Sequence, residues 1–232
     1  MTLALDIILC FTIILCLFPL SFYVCWLASV NRRQQPTIVS GLWDTMRVLG
    51  GVSGFILVGG VLCLNLVQSD SRLVTRGNMK LLGEAIAAQR VMWIVTLAAY
   101  LTIVAIASAV AIRLSLRSVS IYNVATSHLE AAIEMAIERA GLKAERSGNS
   151  WFTGPDRLIE IRGPHVARHM TVRFVAEKQR EREELERQLR NAMVDVTSLE
   201  NPDAAWFVSF GGGSVIMLLA LVLLTSYLIF VK

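Results

Sequence analysis

"IILCFTIILCLFPLSFYVCWLASV", residues 7–30, runs for 24 positions without one charged side chain. A helix rises about 1.5 Å per residue, so about 20 apolar residues cross a hydrocarbon core of roughly 30 Å. This stretch is long enough to span. Its leader, "MTLALD", carries no positive charge, and its apolar run exceeds the roughly 7–15 residues of a cleaved signal core. It reads as a retained span in which Pro19 marks a kink, tolerated where neighbouring helices satisfy the freed carbonyl.

Three further stretches qualify by the same length criterion, at about 48–67, 91–112 and 206–231. The whole chain agrees with them: 55% of its 232 residues are hydrophobic, only 17% are charged, and the mean hydropathy is +0.58. Trp26, Trp43, Trp93 and Trp206 fall near the expected span ends, where amphipathic indoles favour the headgroup layer. All four cysteines, Cys10, Cys16, Cys25 and Cys63, lie within the spans. The segment outside them therefore has neither a disulfide framework nor a cysteine-based zinc site.

The sequence pI of about 9.1 raises the question of nucleic acid. Residues 116–205 answer it, with 13 Lys/Arg against 14 Asp/Glu. The basic excess sits at span edges, at Arg32, Arg33, Arg47, Arg72, Arg76, Lys80, Arg90, Arg113 and Lys232. That placement suits anionic headgroups, whereas a nucleic-acid binder concentrates charge on its folded domain. No nucleic-acid partner is expected.

Four spans place both termini and residues 68–90 on one side, with residues 31–47 and the large segment on the other. Positive charge near the span ends is almost balanced. The uncharged N-terminal tail, followed after the first span by Arg32–Arg33 and after the third by Arg113 and Arg117, assigns the large segment to the cytoplasm. Small residues recur within the spans at four-residue spacing, as Gly50 and Gly54, Ala105 and Ala109, and Ser209 and Gly213. Such pairs let helix backbones approach in lipid. They serve packing within the chain or a seam between copies. No ionisable residue falls at the centre of a span, which argues against a proton or ion relay. Asp44 and Arg47, three apart at an edge, are placed to pair on one helical turn. An amphipathic helix starting at Asn78 is expected to lead into the third span.

Residues 116–205 alternate between two periods. "SVSIYNV" (118–124) reads as a strand, and "SHLE" (127–130) matches a capping box in which Ser127 and Glu130 satisfy each other's amides. The helix that follows lines up Leu129, Ala132, Ile133, Ala136, Ile137 and Ala140, and Gly141 stops it. "LKAER", "SWFT" and "RLIEIR" are short strands separated by turn residues, and "RHMTVRFV" alternates with Met170, Val172 and Phe174 inward. A last helix, about 177–196, carries the stripe Leu185, Leu189, Ala192, Met193 and Val196. Its first half, "AEKQREREE", lacks large apolar residues and offers i, i+4 charge pairs at Arg180–Glu184, Glu183–Arg187 and Glu186–Arg190. Arg180, Arg182 and Arg187 mark the partner surface expected there.

Catalytic chemistry is not legible. His165 and His169 are four apart, but "GP" puts the first in a turn and the second opens a strand. Four extended residues separate Cα atoms by roughly 13 Å, too far to share a metal. There is no phosphate-binding loop, nucleophile elbow or dinucleotide fingerprint. The expected set is therefore no catalytic residue, no cofactor and no metal, with both histidines at the surface or in a turn. "VNRRQQPTIVSGLWD" before a Gly-rich span, "RGN" before the third span, "YNV" opening the domain and "SGN" within it resemble uncharacterised four-span membrane proteins of planctomycete-type bacteria. The resemblance implies a bacterial inner (plasma) membrane and carries no activity.

These readings combine into a membrane α-helical protein of four transmembrane helices with an inserted small α+β domain of an antiparallel sheet and two helices. Residues 1–115 hold three spans (about 7–30, 48–67 and 91–112), 116–205 the domain, and 206–232 the fourth span. The expected function is a non-enzymatic, multi-pass membrane protein whose cytoplasmic domain docks a protein partner or supports assembly of a membrane complex. The alternative is a channel or transporter component formed by oligomerisation of the four-helix unit. The expected partners are the lipid bilayer and a protein partner or a second copy of the chain.

Overall fold

The computed structural model describes residues 2–67, 90–163, 169–175, 179–194, 196–197, 201 and 203–230. The helix expected from Asn78, and His165, lie outside these residues. Six helices are described: α1 (Thr2–Asn31), α2 (Gly41–Val67), α3 (Arg90–Ser115), α4 (Thr126–Arg139), α5 (Gln179–Met193) and α6 (Asp203–Phe230). Six strands accompany them: β1 (Thr37–Ser40), β2 (Ser118–Tyr122), β3 (Glu145–Ser147), β4 (Ser150–Thr153), β5 (Asp156–Arg162) and β6 (Met170–Phe174). The chain divides into two compact units. Met1–Val24, Val48–Val110 and Phe210–Lys232 form the first, and Cys25–Arg47 with Ala111–Ser209 the second.

Three described helices are long and apolar enough to cross a membrane, over Leu9–Asn31, Arg90–Ser115 and Asp203–Phe230. Their surfaces suit lipid: Ile103, Ile106, Ile216 and Leu223 are exposed on α3 and α6 without protein cover. α2 is not among the three. Asp44 and Arg47 occupy its first two turns.

Those glycines show how the first unit packs. A Cβ on Gly54 would fall on the Leu15 carbonyl oxygen and 2.7 Å from Cys16 Cα, and one on Gly51 would lie 2.8 Å from Tyr23 Cβ. α1 and α2 therefore meet backbone to backbone, the approach that small residues permit in lipid. On α3, the Tyr100 hydroxyl donates to the Ile56 carbonyl at 2.6 Å, and its ring occupies the space a Cβ on Gly60 would need. The expected packing residues are distributed unevenly. Gly54 is at a contact, while a Cβ on Gly50 or Gly213 would meet nothing within 4 Å, and Ala105, Ala109 and Ser209 are exposed. On α2 the contact register is thus Gly51 with Gly54, spaced by three rather than four. On α6 the buried positions are Gly211, Ser214, Thr225 and Leu228.

The second unit is a six-stranded antiparallel sheet in the order β1-β2-β6-β5-β4-β3, with α4 and α5 packed together on one face. The period-2 alternation builds that face. Val119 pairs with Val172, Ile121 with Met170, Ile161 with Val172 and Ile159 with Phe174, and all are buried. Above them lie Leu129, Ile133 and Ala136 of α4 and Leu185, Leu189 and Met193 of α5. Among the described residues α5 ends at Met193, short of the 196 of the sequence reading.

Two local details refine the sequence reading. α4 starts two residues earlier than the capping box implies, at Thr126, and its cap residue Ala125 makes no side-chain cap bond. Glu130 is drawn instead to Arg146 of β3, 2.5 Å away. The C-terminal stop holds: Gly141 adopts φ +70, with Gly141 N–H donating to Glu138 and Leu142 N–H to Ile137. That is the Schellman pattern, open to glycine without strain. β1 was not anticipated. Four residues between the first two helices join the sheet edge as partners of β2.

The close approach at Gly54 sets a measurable asymmetry. Gly54→Val should destabilise the detergent-solubilised protein by about 1–3 kcal/mol, the usual cost of overpacking. Gly50→Val should leave thermal unfolding unchanged. Equal effects of the two substitutions would contradict the packing described.

Candidate functional site

The face of the sheet opposite α4 and α5 is polar by the same alternation. On β2 it presents Ser118, Ser120 and Tyr122, of which Ser120 and Tyr122 are nevertheless buried. Asp44, in the first turn of α2, covers them. It accepts a hydrogen bond from Ser120 Oγ at 2.5 Å on Oδ2 and another from the Tyr122 hydroxyl on Oδ1. The start of α2 places its helix dipole favourably for a negative side chain. Removing the carboxylate would leave two buried hydroxyls without their acceptor, at a cost of about 1–3 kcal/mol each.

Aromatic groups close the cluster. The His169 ring stacks on Tyr122 with centroids 4.4 Å apart, and Trp26, near the end of α1, meets Tyr122 edge-on at 5.4 Å. The Arg47 guanidinium lies 4.2 Å over the Trp26 ring. Next to Tyr122, buried Asn123 takes the left-handed conformation at φ 56, and its Nδ2 donates to the Arg33 carbonyl at 2.6 Å. Asn is one of the few residues that accept this backbone readily. Asn201 Nδ2 donates to Asn31 Oδ1 at 2.7 Å, binding the approach to α6 to the end of α1.

Asp44, Ser120 and His169 are the residue types of a hydrolytic triad, but their order is wrong for one. Nucleophilic activation needs serine hydrogen-bonded to histidine and histidine oriented by the acid. Here the serine donates to the acid itself. His169 Nε2 stands 3.8 Å from Asp44 Oδ2 and has no hydrogen-bond partner among the described residues. Ser120 is 2% exposed, which leaves no path for a substrate. Among the described residues no three His, Cys, Asp or Glu side chains converge. What the arrangement does is fasten α2, β2 and the approach to β6 together.

Two readings of the sequence change here. His169 is half-buried rather than fully at the surface, its side chain 28% exposed and packed against Tyr122. Asp44 and Arg47 do not pair with each other; the first turns to β2 and the second to Trp26. One signal was present. Ile121 pairs with Met170, so the next pair outward sets Tyr122 beside His169 on the non-core face.

The expected partner surface lies elsewhere, on α5. Arg180 and Arg187 are exposed and Arg182 is half-buried. Of the three anticipated charge pairs, Glu186–Arg190 forms at 2.8 Å. Arg187 instead reaches Glu184 at 2.6 Å, three residues back, and Glu183 accepts from Gln179. The hydrogen bonds from Arg187 and Gln188 hold the Glu184 carboxyl below its usual range.

Burial pushes the His169 imidazole below the ordinary histidine value, and the neighbouring Asp44 opposes this only in part. With the folded-state value lowered, the unfolded chain takes up the proton first as pH falls. The neutral ring thus contributes its full stability above an unfolded value of about 6.5, and this is lost as pH falls through the folded value. The apparent Tm should decline as pH falls below about 6.5, and His169→Gln should flatten that decline. Wild-type stability that rises on acidification would contradict this environment for His169.

No family model matches the chain, and neither a curated protein nor a solved structure matches it.

Proposed function

We propose that the chain is a four-span integral membrane protein whose α+β unit is a non-catalytic docking platform, placed in the cytoplasm beside a bacterial inner membrane. One observation carries this reading. The ends of four long helices, Cys25–Asn31 of α1, Gly41–Arg47 of α2, Ala111–Ser115 of α3 and Asp203–Ser209 of α6, all belong to the second unit.

The pairing of β1 with β2 supports the span count. Both strands need one aqueous side, because hydrogen-bonding edges are not exposed within hydrocarbon. Between Ser40 and Ser118 the chain must therefore cross an even number of times. α3 supplies one crossing, and residues 68–89 hold no further apolar run of spanning length. α2 supplies the other. The bacterial location follows from the sequence resemblance, and the cytoplasmic side from Arg32, Arg33, Arg113 and Arg117.

Docking is favoured over catalysis by the polar cluster, whose serine is sealed and whose histidine lacks a nucleophile to activate. α5 supplies the surface, as its charged face lies away from its buried stripe of Leu185, Leu189, Ala192 and Met193. Complementary charge on such a face governs specificity and association rate. Reversing Arg180, Arg182 and Arg187 to Glu should abolish co-purification of the main partner while leaving Tm nearly unchanged. Retention of that partner by the triple variant at moderate salt would overturn this docking face.

A further inference from the structure

Beside the polar cluster lies a cavity of about 550 Å³ within the second unit. Its wall brings together Arg33, Arg47 and Arg190 with Trp26, Trp43 and the residues of β1, and it includes no acidic residue. Each arginine is held by a neighbour. The Arg33 backbone is fixed by Asn123, Arg47 rests on Trp26, and Arg190 is paired with Glu186 at 2.8 Å. Among the described residues neither Arg33 nor Arg47 has a carboxylate within ion-pair distance. Guanidinium groups match phosphate oxygens in both geometry and charge. Trp43, 64% exposed, adds a bare indole at the mouth, the side chain that favours the boundary between headgroup and hydrocarbon.

We propose that this cavity binds a phosphate group, namely that of an anionic phospholipid headgroup resting between Arg33 and Arg47 with its glycerol against the tryptophans. The inference rests on the membrane reading for its depth, since the cavity lies where α1 ends and α2 begins. Arg33 and Arg47 are exposed, so the site can be altered without disturbing the core.

The test uses the full chain purified in a neutral detergent and offered phosphatidylglycerol and phosphatidylcholine with identical acyl chains, bound lipid being read by native mass spectrometry. Phosphatidylglycerol should be retained about 30-fold over phosphatidylcholine, the factor that two arginines at a charged surface supply. R33Q/R47Q should bring the two lipids to parity, R33K/R47K should keep most of the preference, and R180Q/R182Q should keep all of it. A further arm adds glycerol 3-phosphate. Displacement of the lipid by millimolar amounts of this probe supports a phosphate site and assigns its source to a soluble ester. No displacement supports the lipid itself. Equal retention of the two lipids by the wild type, or a preference that survives R33Q/R47Q or falls equally with R180Q/R182Q, overturns the proposal. Alkaline carbonate extraction of membranes tests the underlying reading by itself. Release of the protein would sink the span assignment, whereas lipid selectivity in detergent would still report on the cavity.

Discussion

Four residues of β1, Thr37–Ser40, pair with Val119–Tyr122 of β2, and everything between them must leave the sheet and return to it. In water this would be an ordinary long-range contact. For a chain whose intervening residues include an apolar helix of 26 residues, α3, it becomes a rule about crossings. An odd number of crossings would strand one partner on the wrong side of the bilayer. Under the proposed reading this pairing recruits α2, the least hydrophobic of the long helices after α3, as a fourth span. Its glycines then have a purpose, because they let α1 and α3 approach its backbone closely.

The Asp44 cluster reinforces the same joint. Four backbone pairs at a sheet edge form a short connection, and side-chain bonds from Ser120 and Tyr122 to the first turn of α2 extend it. Trp26 and His169 then pack around Tyr122, so that the ends of α1, α2, β2 and the approach to β6 share one polar and aromatic junction. Buried hydrogen bonds to a charged group are geometrically demanding, which suits a part that fixes direction rather than adding apolar stability. Arg33 and Arg47 emerge from this junction and are positioned by it.

Local and periodic features were legible from sequence. The stripe of α4, the alternation of β6 and the Gly141 stop follow from residue order, because each depends on neighbours within one or two turns. Long apolar runs such as residues 7–30 needed only length. The candidate site was illegible for the opposite reason. Asp44, Ser120 and His169 lie far apart in the chain, and each has an ordinary local reading as a span-edge acid, a strand serine or a strand-opening histidine. β1 escaped notice because "TIVS" is too short to show alternation and gains its identity only from β2. The Gly50–Gly54 spacing named the right helix, but selecting Gly51 as the second contact required the position of Tyr23 on α1.

The most direct measurement concerns sidedness across α2 and α3. With the four cysteines replaced, Thr75→Cys and Asn149→Cys can be labelled separately by a membrane-impermeant maleimide in right-side-out and inverted vesicles. The four-span account requires opposite accessibility, with Thr75→Cys labelled from outside and Asn149→Cys only in inverted vesicles. Labelling of both positions from the same side would show that α3 does not separate them, and would contradict the four-span account.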